Sequence, residues 1–157
     1  MSLYSATISW SLHDDEKFTD SRYSRAHNWH FDGGETLRAS SSPQVVPIPY
    51  SDESAIDPEE AFIASLSSCH MLWFLSIAAR RGFVVEKYED KAKGVMQKNG
   101  EGKLAITEVT LKPEVQYAKR SQPTEKEESD IHHEAHEQCF IANSVKTDIS
   151  VKPTERM

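Results

Sequence analysis

Over "LYSATISWSL" the residues Tyr4, Ala6, Ile8, Trp10 and Leu12 alternate with others, a period of two that predicts a half-buried strand. A polar link, "DDEKFTDS", follows. "RYSRAHNWHFDGGETLRASSS" then reads as a hairpin, with Asp32-Gly33-Gly34 as its turn. Residues 43–57 hold three prolines and no helical period, and predict a loop. The pattern changes at Asp57. Asp57 as N-cap, Pro58 at the first helical position and Glu60 completing a capping box open a helix, and Gly82 after Arg80 and Arg81 stops it. Apolar residues, among them Phe62, Leu66, Met71, Trp73, Phe74 and Ile77, point to nearly every side of that helix, which predicts a central helix with more than one partner surface. Residues 83–118 read as two or three strands with a turn at Asn99-Gly100-Glu101-Gly102. A second capping box, Thr124 with Glu127, starts another helix that carries Ile131, Ala135 and Cys139 on one face. "SVKTDISVKP" closes the chain as a strand. The order is strands, long helix, strands, helix, strand: one α+β domain over residues 1–157.

The charge changes the picture by exclusion. With 25 acidic against 18 basic side chains the net charge is −7, which argues against a non-specific grip on nucleic acid or anionic lipid. The start "MSLYSATISW" lacks the basic and apolar regions of a secretory signal. The most apolar stretch, residues 71–79, is shorter than a bilayer requires. These features predict a cytoplasmic protein that binds neither nucleic acid nor membrane.

Two cysteines, Cys69 and Cys139, bring in candidate chemistry. Four readings stand side by side. Cys69 lies in an apolar helix and fits a buried structural residue. A static disulfide is disfavoured in a reducing compartment. His132, His136 and Cys139 recur at i, i+4 and i+7 on one face of the second helix, and with Cys69 they make a four-ligand set of the kind zinc accepts. A nucleophilic Cys69 needs a cation from another segment, because it sits far from its own helix N-terminus; Arg22, Arg25, Arg38, Arg80 and Arg81 are the candidates. Cys139 is then the natural partner to resolve an oxidised Cys69.

"DPEEAFIASLSSCHMLWFLSIAARRGF" resembles the central helix of the OsmC/Ohr family of thiol-dependent hydroperoxide reductases, with Asp57, Pro58, Glu59 and Cys69 on the motif positions. "AHEQCFIANSVKTDISV" is similar to the family's second cysteine motif, with Cys139 on the cysteine and Asn143 on the polar position; Phe140 stands where the family commonly has proline. The family's arginine of the N-terminal sheet falls on Arg25, with Arg22 as the alternate. The resemblance implies antiparallel sheets packed on a long central helix in an intertwined homodimer, with active sites at the interface. It implies Cys69 as the attacking thiolate, Cys139 as the resolving thiol, Arg25 as the activating cation and Glu59 as the group that orients it. No cofactor or resident metal is implied; the expected partners are a small hydroperoxide and an external dithiol reductant.

Helix geometry adds one requirement. Glu59 and Cys69, ten residues apart, are separated by about 15 Å of axial rise, so a site that uses both takes Glu59 from a second subunit or breaks the helix. A symmetric partner would also cover a helix apolar on all sides. Phe62, Met71, Trp73 and Phe140 are the apolar candidates to favour an organic hydroperoxide over hydrogen peroxide. His70 points about 100° away from Cys69 and receives no role. The rival functions are a zinc protein built on His132, His136 and Cys139, and a non-enzymatic dimer that binds an apolar ligand or senses oxidation.

Overall fold

Helix α1, Pro58–Arg80, begins and ends at the predicted signals. The Asp57 carboxylate accepts from the Glu60 amide at 2.7 Å, and the Glu60 carboxylate accepts from the Asp57 amide at 3.2 Å. At the other end Gly82 takes a φ of +83°, and the amides of Gly82 and Phe83 donate back to the carbonyls of Ala79 and Ala78. These paired bonds form a Schellman closure, whose left-handed residue is glycine because no Cβ crowds it there. The computed structural model describes residues 1–154, in two compact units, Met1–Ala61 and Phe62 onward.

In the first unit β1 (Ala6–Ser9), β2 (His27–Phe31) and β3 (Thr36–Ala39) form an antiparallel meander, with Ile8 opposite Trp29 and Trp29 opposite Leu37. The predicted turn closes β2 on β3 through the Phe31 amide on Glu35 O and the Gly34 amide on Phe31 O. The expected burial of β1 is not met: all four of its residues are exposed, as are Tyr4, Trp10 and Leu12. Alternation creates an apolar face, and among the described residues this one stays exposed.

The second unit holds four strands before the second helix, where the sequence predicts two or three. These are β4 (Val85–Asp90), β5 (Lys93–Lys98), β6 (Leu104–Leu111) and β7 (Pro113–Tyr117). The extra break falls at Lys112, whose amide donates to Asp90 Oδ1 at 2.6 Å, and Pro113 has no amide to continue the ladder. β4 pairs with β7, and β5 with β6, all antiparallel. Helix α2 (Glu125–Gln138) starts on the Thr124–Glu127 capping box. A short 3-10 turn, Ala142–Ser144, leads to β8 (Asp148–Val151), which runs parallel to β6. The fold is thus α+β with antiparallel sheets as expected, apart from this one parallel ladder.

Two apolar clusters hold α1 in the second unit. Phe74, Ile77 and Ala78 pack on Ile131 and Ala135 of α2, and Leu66 packs with Val109 and Leu111 of β6. The other side of α1 is open. Ala64, Ser68, Leu72 and Ser76, one turn apart, form an exposed row, with Leu72 60 % exposed. By length and composition the whole 23-residue helix is apolar enough to cross a membrane, which corrects the reading from residues 71–79 alone; a core helix of a water-soluble domain passes the same test.

Gly94 of β5 shows how tightly α1 meets its sheet. A Cβ there would lie 2.6 Å from Ile63 Cδ1 and 3.3 Å from Ile106 Cγ2. Gly94→Val is expected to lower stability by about 1–3 kcal/mol, the usual cost of overpacking, and Ile63→Ala in the same chain to recover part of it. Denaturant midpoints of the three proteins check this; an unchanged Gly94→Val midpoint contradicts it.

Candidate functional site

Cys69, on the fourth turn of α1, and Cys139, the C-cap of α2, are both free thiols. They belong to the same unit although 70 positions separate them, and Cys69 is one of the neighbours that the Cys139 thiol feels. Cys69 is half-buried, whereas Cys139 is 1 % exposed. Burial is the main reason the Cys139 thiol is pushed up to about 11, and its neighbour Cys69 pushes the same way; the amides of Ala142 and Ile141, bonded to the Cys139 sulfur, pull in the opposite direction. The Ala142 bond measures 3.4 Å. Cys139 therefore keeps its proton at neutral pH.

The backbone after Cys139 is firmly tied. The Asn143 amide donates to Cys139 O and its side chain to Glu137 O, both at 3.0 Å; Ser144 Oγ donates to Phe140 O at 2.7 Å. On α1, two residues before Cys69, Ser67 Oγ donates to Asp90 Oδ2 at 2.5 Å. Asp90 also holds the Lys112 amide, so the turn of α1 that carries the thiol is fastened to the strand junction.

Of the apolar candidates, Trp73 and Phe140 meet edge to face with centroids 5.4 Å apart, and Phe140 is 66 % exposed. Phe62 packs in the cluster around Leu66. Met71 is half-buried and belongs to neither cluster.

The arginines differ in what they touch. Arg38 pairs with Asp52, and Arg80 and Arg81 share Glu134. Arg25 has no carboxylate partner among the described residues. Its guanidinium lies 3.7 Å over the Tyr23 ring and donates to the carbonyls of Ser21 and Tyr23. Arg22 is exposed and its amide bonds Asp20. Glu59, in the first turn of α1, has Oε2 buried with no hydrogen-bond partner among the described residues. Within this chain Glu59 and Arg25 form no ion pair among the described residues.

A contact that the sequence reading did not foresee joins the two helices that carry the thiols. His70 and His132 stack with centroids 5.3 Å apart, and His70 Nε2 bonds His132 Nδ1 at 3.0 Å in the buried core. Phe74 packs on the His132 ring at 4.3 Å. Burial is the first cause that lowers His70 to about 4, with the charge of His136 second; burial and then His70 lower His132 to about 3. Both rings are neutral at pH 7. The available signal was His70 itself, a titratable residue in the middle of a helix rich in apolar and small residues.

The zinc reading is also corrected, because the described residues do not bring His132, His136 and Cys139 together as a ligand set. Among the described residues no group of three or more His, Cys, Asp or Glu side chains is placed to hold a metal ion.

Comparison with known proteins now identifies the group. The OsmC-like protein family profile matches residues 51–154. An OsmC-like protein of unknown function from Vibrio cholerae is 52 % identical, with a TM-score of 0.97 over 98 % of this chain and 100 % of its own. An organic hydroperoxide resistance protein from Elizabethkingia anophelis shares the fold at 18 % identity, with a TM-score of 0.70 over 98 % and 95 % of the two chains. That of Bacillus subtilis does so at 16 % identity and a TM-score of 0.68, over 98 % and 100 %. No curated protein matches the sequence. With its long cysteine-bearing helix, its flanking sheets and this profile, the chain belongs to the OsmC-like family.

Proposed function

We infer that this protein is a thiol-dependent hydroperoxide reductase, most active on organic hydroperoxides. The observation that carries the reading is the approach of two free thiols from distant helices, one half-buried and one buried and protonated. In the first step the Cys69 thiolate attacks the terminal peroxide oxygen. The O–O bond breaks, the alkoxide leaves and takes a proton as the alcohol, and Cys69 becomes a sulfenic acid. In the second step the Cys139 sulfur attacks Cys69, water leaves, and a disulfide protects Cys69 from further oxidation. An external dithiol returns the pair to thiols by exchange. Trp73 and Phe140, with Phe62 and Met71, form the apolar surroundings for the organic part of the substrate. The low redox poise of the cytoplasm suits two free cysteines.

Arg25 serves as the cation, with Arg22 as alternate. Among the described residues it has no carboxylate partner, whereas Arg38, Arg80 and Arg81 each have one. Glu59 Oε2, buried and unbonded in the single chain, is available to orient an arginine, and a charge-assisted fork is the arrangement that would satisfy it. Because Glu59 lies about 15 Å along α1 from Cys69, each site draws on two chains of a homodimer. The exposed face of β1 and the row of small residues around Leu72 on α1 (Ala64, Ser68 and Ser76) are the surfaces such a dimer would bury.

Light scattering is expected to report a dimer, and Leu72→Asp to shift it toward monomer with loss of turnover. A stable, active monomer would remove the two-chain site. Turnover itself is tested with an organic hydroperoxide, hydrogen peroxide and several dithiols in parallel. Absence of alcohol product with every dithiol would favour a non-enzymatic ligand-binding or sensing dimer.

A further inference from the structure

We propose that the reducing thiol resets the oxidised pair by attacking Cys69, so that Cys139 is the sulfur that leaves. The proposal rests on the two-cysteine reading above and adds to it which sulfur the partner meets. Exchange is an in-line displacement, so the incoming sulfur must reach the attacked sulfur from the side opposite the S–S bond. Around Cys139 the chain closes on the sulfur: the amides of Ala142 and Ile141 bond to it, and Asn143 and Ser144 hold that turn against Cys139 O, Glu137 O and Phe140 O. Cys139 is 1 % exposed and Cys69 is half-buried.

Leaving-group chemistry points the other way, and its size decides the matter. A buried thiol pushed up to about 11 leaves more slowly than an ordinary one, by roughly tenfold for two units at a Brønsted exponent near one-half. Part of that push comes from Cys69, and the charge of Cys69 is gone once it carries a mixed disulfide. Reaching Cys139 instead requires opening the turn. At about fivefold in population per hydrogen bond, breaking three bonds handicaps that route by about a hundredfold. The same two amides favour the departing sulfur, since they donate to it as negative charge develops.

The step balances. A thiolate bonds to the Cys69 sulfur, and the Cys69–Cys139 bond breaks with its electron pair on Cys139, which takes up a proton. The second thiol of the dithiol then attacks the reductant sulfur of the mixed disulfide. That releases Cys69 as thiolate and the reductant as a disulfide.

The test oxidises the full-length protein with diamide, which makes the disulfide without any peroxide step. A brief pulse of 2-mercaptoethanol follows, then acid quench, alkylation and peptide mapping. The expected result is the mercaptoethanol adduct on Cys69 and the alkyl group on Cys139, at ten to one or better. Adduct mainly on Cys139, an even split, or no disulfide with diamide overturns the proposal. Asn143→Ala, which loosens the turn, should lower the ratio severalfold; an unchanged ratio contradicts the shielding by the turn. Failure of peroxide turnover beside a normal Cys69 adduct would count against the peroxidase reading alone.

Discussion

Cys69→Ser is expected to abolish peroxide reduction, with turnover of an organic hydroperoxide reduced on the order of 10³-fold or more, because a serine hydroxyl is almost wholly protonated at neutral pH. Cys139→Ser is expected to fail differently. It should release one equivalent of alcohol per chain and stop, leaving a Cys69 sulfenic acid that a dimedone-type probe traps. The contrast follows from the unequal thiols: Cys69 is half-buried, while Cys139 is enclosed and keeps its proton. A pre-steady-state burst measured on the two variants separates the roles. Full activity in Cys69→Ser would refute the assignment of the nucleophile.

The second large effect comes from the histidine pair. Both rings are held neutral in the folded chain, at about 4 and about 3, against an ordinary value near 6.5 in the unfolded chain. A lowered histidine costs nothing above the unfolded value. As pH falls below about 6.5 the unfolded chain takes up protons that the folded chain refuses, and stability drops until the folded values are reached. Each ring contributes at most about 1.4 kcal/mol per pH unit, so the two together remove roughly 5 kcal/mol between pH 6.5 and 4.5. That is comparable with the whole stability of a small domain. Unfolding free energies measured across that interval should fall steeply in the wild type and much less in His70→Leu with His132→Leu. A flat wild-type profile would show that the pair is not buried in solution.

Local signals made the helices legible and left their partners hidden. Asp57, Pro58, Glu60 and Gly82 bracket α1 because capping is chemistry among residues within a few positions of each other. Thr124 and Glu127 do the same for α2. The β1 face is a different matter. Alternation shows that Ile8 belongs with Trp10 and Leu12, but whether anything covers them depends on surfaces no local pattern encodes, and the chain leaves them exposed. The strand count was missed at Lys112 and Pro113, where a one-residue break divides what reads as a continuous run.

The candidate site divides in the same way. Motif spacing singled out Cys69 and Cys139, and the fold places them in one unit, where Cys69 is among the influences that raise the Cys139 thiol. Helix periodicity also offered the zinc set as an alternative. Among the described residues it is not assembled, and His132 instead bonds His70, 62 positions away. Nothing near His132 in sequence announces that contact; only the packing of α1 on α2 creates it.

The meeting of Cys69 and Cys139 also ties oxidation state to chain entropy. A bond between them would close a loop of roughly 70 residues, and loop closure of that size restricts the unfolded ensemble by about 4 kcal/mol. The oxidised chain should therefore melt at a higher temperature than the reduced one. The molecule would be least resistant to unfolding in the dithiol state, the form that meets the peroxide.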